Sequence, residues 1–193
     1  MKTVWITLGT IAALFIIFFM WAGGVYDKAV SYQEETNKTW SNVQAAYQRR
    51  ADLVPQLVAT VKAGAKNEKE ILTQVTQARA GIVGAKSPQD LELAGRKINT
   101  AINLAFEAYP EIRSTENFAT LQSQLEGTEN RINVERNNYN AAIKNYNTHI
   151  RGFFKKMALG ITADSGEFER KEGFEAITEG AEKAPVLEGA FED

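Results

Sequence analysis

From Val4 to Tyr26 the chain runs for 23 residues without a charged side chain, and Ile11–Met20 is almost continuously apolar. As a helix rising about 1.5 Å per residue, that run is about 34 Å long, enough to cross a hydrocarbon core about 30 Å thick. Trp5 lies near one end and Trp21 and Tyr26 near the other, where indole and phenol rings favour the lipid–water interface. Residues 1–26 are therefore expected to form a transmembrane helix, with Val4, Trp5, Phe15, Ile16, Trp21 and Tyr26 among the membrane-spanning residues. A cleaved signal peptide is the competing reading, since Ala22 and Gly24 are small enough for a cleavage site. Signal peptides, however, have apolar regions of only about 7–15 residues behind a basic segment. This run is longer, and only Lys2 precedes it, so a retained single-pass anchor is expected. Lys2 and the terminal amine are opposed by Lys28 and Lys38 on the other side. A very short, Lys-led N-terminus favours insertion with that end inside. The soluble part is then expected on the periplasmic side of a bacterial inner membrane.

The whole chain of 193 residues leaves room for one domain behind the anchor. It has no cysteine, which excludes disulfides, thiolate metal sites and cysteine nucleophiles. The net charge of −2 hides an asymmetry: residues 1–163 carry 19 basic and 14 acidic side chains, whereas 164–193 carry 3 and 10. An acidic tail on a mildly basic body argues against nucleic acid as a partner.

Beyond the anchor the pattern is helical, and the fold class expected is all-α, the transmembrane helix continuing into a bundle of long helices over 27–160. Trp40, Val43, Tyr47, Val54, Leu57, Val61, Leu72, Val75 and Ile82 are spaced mostly by three and four, the seam of a helix packed on another helix. This predicts a first bundle helix over 27–84, continuous with the anchor, in which Pro55 kinks but does not stop the chain. Ser87-Pro88-Gln89-Asp90 then reads as a helix start, with a capping hydroxyl, a proline at the first position and an acid in the first turn. The second helix runs over 88–108 with Leu91, Ala94, Ile98, Ile102 and Ala105 on one face, and Tyr109-Pro110 stops it. The third, over 114–155, carries a stripe from Phe118 through Leu121, Leu125, Thr128, Ile132, Glu135, Tyr139, Ile143, Tyr146 and Ile150 to Phe153. Its spacing near 3.5 is coiled-coil-like, and an internal bundle core is the simpler assignment than an intermolecular coil. An acidic tail over 161–193 is expected to be irregular except for a short helix near Phe174–Ala184.

Charges interrupt the first seam at Arg50 and Glu68. If the first helix rises unbroken and the second returns only part-way, the third rises parallel to the first with residue 136 beside residue 68. A buried Glu68–Arg136 pair follows, within a structural polar network of Arg50, Asp52, Glu68, Glu129 and Arg136. Charges on helical seams more often pair to fix register than to do acid–base chemistry.

Two separated motifs carry a family resemblance. Trp40-Ser-Asn-Val43 through Tyr47, Arg50, Asp52 and Pro55 to Val58, and Leu121–Glu129 through Arg136-Asn-Asn-Tyr139-Asn140 to Tyr146-Asn147 and Arg151-Gly-Phe153, resemble the signature of the LemA family. The resemblance implies a short N-terminus, one membrane span and a bundle of long α-helices, and no assigned enzymatic activity. A member of that family from magnetosome-forming bacteria is connected with building internal membranes. Phe154 stands where relatives usually place proline, which implies a third helix that continues further here.

His149 is the only histidine, so the paired Glu-x-x-His motifs of di-iron bundles are excluded, and it is expected to face solvent or pack locally. No phosphate loop or nucleophile elbow is present. No catalytic, cofactor-binding or metal site is expected, and no cofactor. The asparagines 137, 138, 140, 145 and 147 read as a polar partner surface or a wet helix face. Lys62, Lys66 and Lys69 read as a solvated face, or as headgroup contacts if that helix lies near the membrane. The function expected is a non-enzymatic, membrane-anchored scaffold that self-associates and organises or remodels the bilayer. The alternative is an adaptor for an envelope protein partner. Lipid and a second copy of the chain are the expected partners.

Overall fold

A computed structural model describes residues 2–59, 65–108 and 116–175. Among them the chain is α-helical: α1 Lys2–Ala59, α2 Ala65–Gly84, α3 Pro88–Ala108, α4 Glu116–Arg151 and α5 Phe153–Thr162. The anchor and the first bundle helix are one helix. From Lys2 to Trp21 no residue of α1 is buried in the protein; Ala22 is the first that is, followed by Val25 and Ala29. Pro55 lies inside α1, which ends one turn later at Ala59.

The single helix expected over 27–84 is in fact two helices pointing in opposite directions. Asp52 pairs with Arg79, and the Gln44 amide donates to the Ile82 carbonyl at 3.1 Å, so α2 runs back down beside α1. α3 turns up again, with Gly95 against the Tyr47 ring and Asn99 beside Arg50. α4 descends: Arg50 meets Glu129, Trp40 meets Tyr139, and Val25 meets His149. The result is an up-down-up-down bundle in which α4 is antiparallel to α1, not parallel as the unbroken first helix would require.

The reason lies in phase. Restarting at Ala65, α2 buries Ile71, Val75, Ala78 and Ile82 and leaves Leu72 exposed. A seam shared by two antiparallel helices keeps the same threes and fours as a seam on one. Leu57 and Val61 fall outside the described side chains.

The start of α3 is built as its residues dictate. The Ser87 hydroxyl accepts from the Asp90 N–H, and the Asp90 carboxylate accepts from the N–H groups of Lys86 and Ser87, a reciprocal capping box. The α4 stripe from Leu121 to Ile150 is buried throughout, as an internal core. Phe153 is not part of it. Arg151 ends α4, Gly152 turns the chain, and α5 begins as a separate helix.

α2 and α3, each about 30 Å long, cover only the upper part of α1, whereas α4 spans about 54 Å. There are accordingly two clusters. The upper one joins α1–α4 around Val43, Val54, Ile71, Ile98 and Ile132. The lower one joins Ala22, Val25 and Ala29 of α1, Tyr146 and Ile150 of α4, and Ala158 and Leu159 of α5. Beyond α5 the chain has no regular structure from Asp164 to Glu175, yet it is packed, with Phe174 only 5% exposed. Phe174 and Glu175 are not helical; the rest of the short helix expected near 174–184 lies outside the described residues.

Candidate functional site

The charged residues singled out on the seams do not converge. Arg50 sits between α1, α3 and α4, its side chain 13% exposed. Its guanidinium donates to the Leu125 carbonyl at 2.8 Å and to Asn99 Oδ1 at 3.1 and 3.3 Å, and pairs with Glu129 at 3.0 Å. Burial lowers its pKa from the usual value, and Glu129 opposes that shift. Asp52 pairs instead with Arg79 on the α1–α2 side. Arg136 pairs with Glu92 of α3 at 2.7 Å, donates to the Glu175 carbonyl, and lies 4.7 Å over the Phe174 ring. Arg136 reaches across to Glu92 of α3 and not to the expected Glu68, because α4 descends antiparallel along α1; the Glu68 side chain lies outside the described residues. Lys69, at the start of α2, stands near the far end of α1, about 50 Å above Ala22, and so away from any headgroup at the anchor.

Three separate pairs at three places, each with a formed hydrogen-bonded partner, fix helix register. Glu135, buried on the stripe, pairs with Arg131 at 2.7 Å one turn earlier on α4 itself and so ties no second helix; its place among apolar stripe residues was the sequence signal for it. Among the described residues no group of three or more His, Cys, Asp or Glu gathers to hold a metal ion. A surface cavity of about 370 Å³ lies between Thr36, Trp40, Lys86, Tyr139 and Lys171, and one of about 300 Å³ beside Gly81, Asp90 and Leu93; neither includes the seam charges.

His149 takes the local-packing alternative. It is buried, its ring 5.4 Å from that of Tyr32, and Nε2–H donates to the Val25 carbonyl at 2.9 Å.

The arrangement least visible in the sequence is a clasp. Residues 163–175 climb back along the groove between α1 and α4. The Tyr26 hydroxyl donates to Glu167 at 2.6 Å, Lys171 Nζ reaches Thr36 and Asn37, and Phe174 stacks on Trp40 and meets Tyr139 edge-on. Two asparagines of α4 hold this strap as a neighbouring strand would. Asn147 donates to the Lys171 carbonyl and accepts from the Lys171 N–H, at 2.8 and 3.1 Å. Asn140 does the same for Phe174, at 2.9 and 2.8 Å. The spacing matches: seven helical residues rise about 10.5 Å, and three extended residues span about 10 Å. Gly173 is required by the approach, since a methyl group there would meet Asn140 Oδ1 at 2.6 Å. These two asparagines bind the chain's own segment.

The LemA family model matches residues 39–188. A protein named Protein LemA from Metamycoplasma hominis is 27% identical over 153 residues, covering 72% of this chain and 69% of its own.

Proposed function

The chain belongs to the LemA family, and from that premise we propose that it is a single-pass, non-enzymatic scaffold of the bacterial inner membrane. Its bundle stands on the periplasmic face, and copies associate to organise the bilayer around them. One observation carries this reading: the apolar run and the first bundle helix are a single helix from Lys2 to Ala59. Over Lys2–Trp21 the span, with Val4, Trp5, Phe15 and Ile16 at 60–75% exposure, buries nothing inside the protein and needs lipid to cover it. Cleavage at Ala22 or Gly24 would cut a continuous helix beside the buried residues Ala22 and Val25, which supports retention. Movement or association of bundles would then pass to the membrane through a helix and not through a flexible linker.

The test is the mass of the full-length protein in mild detergent, by light scattering, together with crosslinking in cells. Particles of several 21.4 kDa chains and self-adducts are expected. A monodisperse monomer yielding only adducts to another envelope protein would refute self-association and favour the adaptor reading. Because the chain lacks cysteine, Ser41→Cys reports sidedness. Labelling by a membrane-impermeant maleimide in intact spheroplasts is expected, and protection until lysis would place the bundle inside.

A further inference from the structure

We propose that α5 is a second, interfacial contact with the same bilayer, its outer face seated among the headgroups and upper acyl chains. The proposal rests on α1 being the anchor and extends that reading to a separate element. The first observation is position. The His149–Val25 bond sets the lower end of α4 at the point where α1 first becomes buried, and α5 starts four residues later. Ala158 and Leu159 hold α5 in the cluster with Ala22, Val25 and Ala29, immediately above the part of α1 that has no protein cover.

The second observation is the face α5 leaves open. Phe153, Phe154, Met157 and Ile161 are 78, 65, 48 and 55% exposed, four large apolar side chains in a ten-residue helix. At about 100° per residue they fall within an arc of about 100°. Single exposed apolar residues are ordinary on a soluble surface, but a contiguous stripe is not. Lys155 and Lys156 flank the arc on either side and are exposed. Apolar residues bordered by lysines are the composition of a helix lying in the plane of a membrane interface. Trp21, 42% exposed on α1, lies next to Ala22 and carries the lipid-facing surface toward the same level. Arg151 and Lys28 add positive charge to this collar, against Asp27, Asp164 and Glu167. Phosphate headgroups complement that face, and the apolar arc continues the surface that the anchor presents to lipid. A second copy covering the stripe is the rival occupant.

The experiment uses the full-length chain in phosphatidylcholine–phosphatidylglycerol vesicles, with single cysteines carrying an environment-sensitive fluorophore and lipids bearing a shallow doxyl quencher. Met157→Cys is read against Phe15→Cys in the span and Ser41→Cys, exposed and about 28 Å above Ala22. Several-fold stronger quenching at Met157 than at Ser41, approaching that at Phe15, is the result expected. Quenching at Phe15 with none at Met157 overturns the α5 contact and leaves the anchor standing. An unquenched Met157 that crosslinks to Met157 of another chain overturns it in favour of the second copy. No quenching at Phe15 overturns the anchor and this contact together.

Discussion

Asn140→Ala removes both arms of the upper half of the clasp, the bond to the Phe174 carbonyl at 2.9 Å and the bond from its N–H at 2.8 Å. At a net worth of about 1 kcal/mol each, their loss lets the strap open about 2 kcal/mol more easily. With tenfold per 1.4 kcal/mol, the open population rises about 30-fold. Hydrogen exchange on the full-length protein in detergent reads this directly. Peptides covering 171–175 should exchange about 30-fold faster, while those covering Ile132–Ile143 of α4 stay as protected as before. Asn140→Asp should be no better than alanine, because it keeps the acceptor but turns a second oxygen toward the Phe174 carbonyl. Asn137→Ala, at an exposed position of the same helix, should change nothing. If Asn140→Ala left exchange at 171–175 within about threefold of the parent, the hydrogen bonds would be incidental. The strap would then be held by the packing of Phe174 on Trp40 and Tyr139.

Two glycine substitutions of identical chemistry should differ in sign. Gly127→Ala meets open space inside α4 and should raise stability by about 0.5–1 kcal/mol. Gly95→Ala would bring a methyl to 2.6 Å from the buried Tyr47 ring, so overpacking of about 1–3 kcal/mol outweighs the same gain; thermal melts by circular dichroism separate the two. Tyr146 is fully buried and its hydroxyl has no hydrogen-bond partner among the described residues, so Tyr146→Phe should stabilise by about 1 kcal/mol, a rise in melting temperature of about 2–4 °C. The Asp90 carboxylate is held below its usual value of 3.8 by the Lys86 N–H and the Ser87 contacts. Its folded value lies below its unfolded one, so the contribution is present above pH 3.8 and is lost as pH falls through the folded value. The stability difference between the native chain and Asp90→Asn should accordingly be constant from neutral pH down to about 4 and narrow below it.

Local chemistry was legible and chain direction was not. The run Val4–Tyr26, the Ser87–Asp90 helix start and the α4 stripe each declare themselves through neighbours within one or two turns, and each appears where expected. The reversal between α1 and α2 does not, because helical periodicity carries no sign. Val54, Ile71, Val75 and Ile82 read as one seam whether the chain continues or turns back. The Glu68–Arg136 register followed from that missing sign, and Glu92 takes the place because α4 descends along α1, where the Arg136 side chain reaches α3. The strap was invisible for another reason. Glycine- and glutamate-rich chain has no period of its own, and its complement lay on α4 as two asparagines seven residues apart. Asparagine on a helix face ordinarily means water, so only the spacing matched to extended backbone separates Asn140 and Asn147 from Asn137.

The lower cluster decides how stiffly the anchor is joined to the bundle. Gly23 and Gly24 follow Ala22 where α1 leaves its uncovered stretch, and neither has a neighbour that a side chain would touch. Each costs a helix about 1 kcal/mol relative to alanine, and glycine pairs are where helices hinge. Nothing within α1 alone offsets that weakness. What offsets it is a collar from distant sequence: Tyr146 and Ile150 of α4, Ala158 and Leu159 of α5, and the start of the strap, where Tyr26 bonds Glu167 and meets the Phe168 ring at 5.5 Å. α1 remains one helix through its two glycines, with α5 and the strap packed around that stretch. Loosening the strap at Asn140 or Asn147 would therefore act one element further down, on the angle between span and bundle. The clasp and the collar are thus consecutive stretches of one packed segment closed around α1.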